Sequence, residues 1–130
     1  MTNEPSPSAD EMAEIVRVAF SREDLSAVAD LLDAHVTWGA AGARRPSCTT
    51  KAQVLTWFQT AWDAGVRART VDVCVAGERV LVTLVVRGSR TARERGGGAL
   101  RYQILTFRNG RIVDIAGFDD RESALAFAQM

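Results

Sequence analysis

The dipeptide Asn109-Gly110 constrains this chain more than any other feature. It stands between two runs of alternating character, "LRYQILTFR" (100–108) and "RIVDIAGF" (111–118). A two-residue loop of this kind needs positive φ at both central positions, which Asn and Gly tolerate, and it closes a tight antiparallel hairpin. Counting outward from the turn, Arg108 faces Arg111, Thr106 faces Val113, Ile104 faces Ile115 and Tyr102 faces Gly117. The opposite face takes Phe107 with Ile112, Leu105 with Asp114 and Gln103 with Ala116.

Two more strands precede this hairpin. "VRARTVDVCV" (66–75) and "RVLVTLVVR" (79–87) keep the period of two and are joined by the turn "AGE". In the second of them Val80, Val82, Leu84 and Val86 make one apolar face, and Leu81, Thr83 and Val85 a weaker one. Both faces want cover, one from helices and the other from a second subunit.

The first half of the chain changes period. Ser8 and Glu11 have capping-box spacing, and Met12, Ile15, Val16, Ala19 and Phe20 then recur at helical intervals. Ser21 and Asp24 repeat the start signal before Leu25, Val28, Leu31 and Leu32, a short second helix. "HVTWG" (35–39) reads as a strand, and "AAGARRPSCTT" as a loop punctuated by Gly42 and Pro46. Thr49 or Thr50 caps a third helix over 51–64, and Gly65 stops it. Asp119 and Glu122 have capping-box spacing ahead of a terminal helix. Helices collected before an antiparallel meander indicate an α+β fold.

Length and charge bound the function. At 130 residues the chain holds one domain, with residues 1–7 as a disordered tail and 8–130 folded. Sixteen basic residues balance sixteen acidic ones, so nucleic acid and anionic membranes are not expected partners. No apolar run is long enough for a membrane span, and the polar, acidic start does not resemble a signal peptide, which gives a cytoplasmic expectation. Cys48 and Cys74 lack CxxC spacing and a histidine partner. No metal, nucleotide or flavin site is expected, so no cofactor is assigned.

The stretch "VVRGSRTARERGGGALRY" (85–102) raises its own question. A phosphate cradle needs glycines leading into a helix N-terminus, whereas Gly96, Gly97 and Gly98 lead into a strand. A nucleic-acid platform wants interleaved aromatics, and only Tyr102 is near. Two readings remain: a soluble hairpin tip, or a lid whose Arg90, Arg93 and Arg95 form a cationic rim for an acidic ligand or partner.

Three segments carry a family resemblance: "DLSAVADLLDAHVTW", "CTTKAQVLTWF" and "FRNGRIVDIAGFDDRESAL", the last with Asp120, Arg121, Ala124 and Leu125 matching the usual ending. Over roughly residues 9–128 the chain resembles a SnoaL-like domain of the nuclear transport factor 2-like, cystatin-like α+β roll. The resemblance implies a cone: three N-terminal helices on a strongly curved antiparallel sheet, with a short C-terminal helix. It also implies a homodimer through the outer sheet face and a hydrophobic pocket for a small, mostly apolar ligand. The pocket set it implies is Val16, Trp38, Phe58, Val82, Leu84, Tyr102, Ile104, Thr106, Ile115 and Asp119.

The fold hosts isomerases, cyclases, hydrolases and non-catalytic binders, so fold does not decide function. The positions that match the base and oxyanion donors of steroid isomerases fall on Trp38, Val16 and about Ile104, none of which supplies a carboxylate or phenol. His35 is the only histidine, and alternation from Trp38 turns it away from the cone. Asp119 and Tyr102 are left as catalytic candidates, Asp119 being equally placed to cap the last helix. Cys48 sits where a helix N-terminus favours a thiolate, yet without a base it reads as a small buried thiol. Trp57 is placed at the pocket rim or an interface, and Trp62 in the core. Three functions stand beside one another: a ligand binder, an enzyme using Asp119 and Tyr102, and an interaction module with a filled cone.

Overall fold

The computed structural model describes residues 7–22, 25–40 and 44–129. The expected tail, apart from Pro7, lies outside the described residues, as do Asp24 and Gly42. The elements run α1 (Ala9–Ser21), α2 (Leu25–Ala29), β1 (Leu32–Ala40), α3 (Lys51–Asp63), β2 (Arg67–Ala76), β3 (Arg79–Arg87), α4 (Arg90–Glu94), β4 (Ala99–Arg108), β5 (Arg111–Phe118) and α5 (Arg121–Ala128). The fold is the α+β roll expected, a curved five-stranded sheet with helices.

The helix ends follow local chemistry. The Glu11 N–H donates to Ser8 Oγ (3.2 Å) and the Ser8 N–H to Glu11 Oε1 (3.4 Å), a complete capping box. Thr50 caps α3 by accepting from the Gln53 N–H at 3.2 Å. The cap of α5 is Asp120 and not Asp119: its carboxylate accepts from the Ser123 N–H at 2.7 Å.

The strand order is β1-β5-β4-β3-β2. Four strands form the expected antiparallel meander, but β1 pairs parallel to β5, so the sheet is mixed. The hairpin register also departs from simple counting. Arg108 faces Arg111 and Phe107 faces Ile112, but Thr106 faces Asp114, Leu105 faces Ile115, Gln103 faces Gly117 and Tyr102 faces Phe118. Val113 is an extra residue in β5, a β-bulge. Its cause is the spacing of Ile112 and Ile115. Residues three apart on a regular strand face opposite ways, and the bulge lets both isoleucines reach the same core, where each is buried. Every β5 residue beyond it changes face, while β4 keeps its alternation.

The sheet therefore has two covered sides. Met12 and Val16 of α1, and Val54 of α3, pack with Val80, Val82, Leu105, Ile112 and Ile115. On the other side Ala124 and Ala128 of α5 pack with Leu81, Ile104, Ala116 and Phe118. This explains why Leu81 and Ile104, neighbours of core residues in sequence, are buried as fully as they are. The terminal helix thus takes part of the outer face expected for a second subunit.

The arginine stretch holds a short helix and is not a plain hairpin tip. Ser89 Oγ accepts from the Ala92 N–H at 3.1 Å, and Ala92 is buried. At the far end the Gly97 N–H donates to the Ala92 carbonyl (2.7 Å) and the Gly96 N–H to the Arg93 carbonyl (3.4 Å). Both glycines have positive φ, which is the Schellman arrangement. Gly96 and Gly97 are there to end a helix.

Candidate functional site

The expected pocket set does not line a common cavity. Val16 and Val82 are fully buried, Leu84 and Ile115 nearly so, and all four fill the side of the sheet under α1. Side chains from α1 and the strands interdigitate there and leave the deep part of the cone occupied. Tyr102, Ile104 and Thr106 are on the other side of the sheet, because they alternate with Arg101, Gln103 and Leu105, which pair with Leu84, Val82 and Val80 on the α1 side. Tyr102 and Ile104 pack with the α5 cluster. Thr106 Oγ1 accepts from Arg79 Nε at 3.1 Å, beside a polar surface cleft at the α5 C-terminus. Arg79 also donates to the Phe127 carbonyl at 3.1 Å, so that corner serves to hold α5.

What remains open is a cleft of about 160 Å³ at the mouth of the cone. Trp38, Gly39, Ala40, Ser47, Cys48, Trp57, Arg101 and Gly117 line it. The local folding that creates it begins at Trp38. Its backbone N–H and carbonyl pair with the Cys48 carbonyl and N–H, both at 2.9 Å, which ties the loop after β1 back against the strand. Gly39 permits this approach, since a β-carbon there would lie 3.0 Å from Pro46 Cα. The Trp38 ring meets Trp57 edge-on, with centroids 4.6 Å apart, and Phe58 behind it at 4.8 Å. Of the expected set Trp38 lines this cleft, and Phe58 packs behind it. Trp57 belongs to the cleft wall, the first of its two expected places.

The floor is made by Gly117 and the charged wall by Arg101. Arg101 lies opposite Leu84 in the ladder, hence on the α1 side of the sheet, and its neighbour Tyr102 points away. The Arg101 guanidinium donates through Nη1 to the Asp119 carboxylate. Asp119 is exposed and is not among the lining residues. Asp119 and Tyr102 thus stand on different sides of the sheet and do not form a catalytic pair. Among the described residues no polar or charged side chain is buried.

Several single-residue expectations change. Cys48 is buried, and that burial pushes its thiol pKa up, so the helix N-terminus does not yield a thiolate at neutral pH. Trp62 is not core: it is 50% exposed, with the Arg67 guanidinium stacked over its ring at 3.4 Å. Asp114 accepts from the Thr37 hydroxyl, while Gln103, expected beside it, faces the other way opposite Gly117. Arg90 pairs with Glu94 at 3.2 Å, and none of Arg90, Arg93 and Arg95 lines the cleft, because Ala92 docks α4 on its own part of the sheet. The cation that does line it, Arg101, was legible only as one of the arginines of the stretch 85–102. Gly39 and Ser47 gave no signal in the sequence, since backbone approach and not side-chain chemistry places them, whereas the resemblance turns Gly117 inward, as found.

A family profile for the SnoaL-like domain matches residues 12–115. The chain belongs to the SnoaL-like domain family. No curated protein matches it. Among solved structures, this SnoaL-like chain is similar to a proposed polyketide cyclase from Pseudomonas putida, with 18% identity, a TM-score of 0.65, and 92% and 97% of the two chains covered. It is likewise similar to a nuclear transport factor 2-like protein of unknown function from Mesorhizobium loti (19% identity, TM-score 0.64, 93% and 100% covered). An LEH-like epoxide hydrolase from M. tuberculosis aligns at 14% identity and TM-score 0.58, covering 95% and 90%. These identities establish the shared fold of this SnoaL-like domain. Its chemistry rests on its own cleft.

Proposed function

We propose that this SnoaL-like protein is a cytoplasmic homodimer that binds a small, mostly apolar molecule in the cleft lined by Trp38, Trp57 and Arg101, with no catalytic step assigned to it. The observation that carries the reading is the cleft itself. It is concave and walled by two indoles, and it is about 160 Å³ in volume. An engineered cavity of about 150 Å³ is large enough for benzene. The ligand is accordingly a single ring or its equivalent. Trp57 is 49% exposed, an unusual burden for so large an apolar surface unless something covers it.

A binder fits better than an enzyme for a geometric reason. Proton transfer needs a base within hydrogen-bond reach of the bound molecule. Among the described residues no carboxylate lines the cleft, and Asp119 is engaged by the lining residue Arg101. The homodimer is supported by the part of the outer face that α5 leaves open, where Leu100 is 46% exposed beside Val85. That no described helix is long and apolar enough to cross a membrane accords with the cytoplasmic placement.

The test is a melting screen with benzyl alcohol, cyclohexanol and related single-ring compounds on the native chain and on Gly117→Val. The native chain melts several degrees higher with a bound compound, and Gly117→Val, which fills the cleft floor, does not respond. No shift with any such compound contradicts the reading.

A further inference from the structure

Arg101 is the one charged residue among those lining the cleft. Its side chain is 35% exposed, whereas the Asp119 carboxylate that holds it is 67% exposed. Asp119 therefore grips the guanidinium from the solvent side through Nη1 and leaves the cleft side free of negative charge. No other hydrogen bond engages the Arg101 guanidinium among the described residues, so Nη2 and Nε keep their donors. Nη2 lies over the bare floor at Gly117: a β-carbon there would sit 3.4 Å from it. The loop that enters the opposite wall at Ser47 carries Arg44 and Arg45, both exposed.

A guanidinium is a planar fork with five donors and can serve two carboxylates at once, one on each edge. Asp119 uses one nitrogen. The remaining edge faces a space that has aromatic walls and holds a single ring. Charge-assisted hydrogen bonds of this kind are stronger than neutral ones, and stronger again where water is partly excluded. Deepening the proposed binding function, and resting on it, we infer that the ligand is a single-ring carboxylate whose ring lies against Trp38 and Trp57 and whose carboxylate meets Arg101. Arg101 is then the residue that sets specificity, and Asp119 the residue that positions it.

Calorimetric titration with benzoate and its neutral isostere benzamide tests this on the native protein, Arg101→Gln and Arg101→Lys. The native protein binds benzoate about tenfold more tightly than benzamide, the size of one charge-assisted hydrogen bond. Arg101→Gln binds both alike, and Arg101→Lys, which keeps the charge without the fork, recovers part of the preference. Should Arg101→Gln fail to fold, the Lys variant and the native ratio still decide the matter. Equal binding of the two compounds by the native protein, or an undiminished preference in Arg101→Gln, overturns the inference and leaves the binding function standing. Failure of both compounds to bind overturns the inference, and the melting screen with benzyl alcohol and cyclohexanol decides the binding function separately.

Discussion

Tyr102 stands opposite Phe118 across the β4–β5 ladder, one residue beyond the place that counting from the Asn109-Gly110 turn assigns to it. The single inserted residue, Val113, thereby decides which side chains face the cleft. It leaves the alternation of β4 intact and turns Ile115 and Gly117 of β5 to the side of Arg101, where Gly117 becomes the floor.

Replacing Tyr102 by Phe checks this directly. Its hydroxyl is on the α5 side, so Tyr102→Phe binds cleft ligands within about twofold of the native protein. A loss of about tenfold or more, read by calorimetry, would place the phenol at the ligand and contradict the register.

Much of the fold was legible in the sequence because its signals are local. The Ser8–Glu11 box, the Thr50 cap and the Asn109-Gly110 turn act over a few residues and appear where expected. The cleft was less legible, because it depends on long-range facts. The bulge at Val113 answers a demand of the core on Ile112 and Ile115, and only the packed molecule shows that both are needed on one side. One clue was present: regular alternation would have put Ile112 on the same face as Asp114. The Trp38–Cys48 pairing, which builds the cleft wall, is a backbone contact with no residue signature. The spacing of Asp119 and Glu122 pointed to Asp119 as the α5 cap, and the geometry gives Asp120 instead.

That cap makes a prediction about pH. Hydrogen bonds from the Ser123 N–H and then the Ser123 hydroxyl hold the Asp120 carboxyl below its ordinary pKa. The folded state then binds fewer protons than the unfolded one in the acid range. The contribution is present above the unfolded value of about 3.9 and is lost as pH falls through the lower folded value. Asp120→Asn keeps a capping oxygen but does not titrate. Its melting temperature therefore approaches that of the native protein as pH drops below about 4. A gap that stays constant across that range would show that the carboxylate plays no such part.

The open part of the outer face gives a prediction about assembly. Leu100 is exposed next to Val85, on the side of the sheet that α5 only partly covers. In sedimentation at micromolar concentration the native chain runs as a dimer and Leu100→Asp as a monomer, since a charge there would be buried without a partner. A monomeric native chain under the same conditions removes the dimer.

The three tryptophans allow the central claim to be tested within one sample. Trp38 and Trp57 wall the cleft, whereas Trp62 lies under Arg67 and is not among the lining residues. Nuclear magnetic resonance titration with benzyl alcohol should follow the three indole N–H signals. The account predicts that the Trp38 and Trp57 signals move together and saturate while the Trp62 signal stays in place. Movement of Trp62 alone, or of none of the three at saturating ligand, would contradict it.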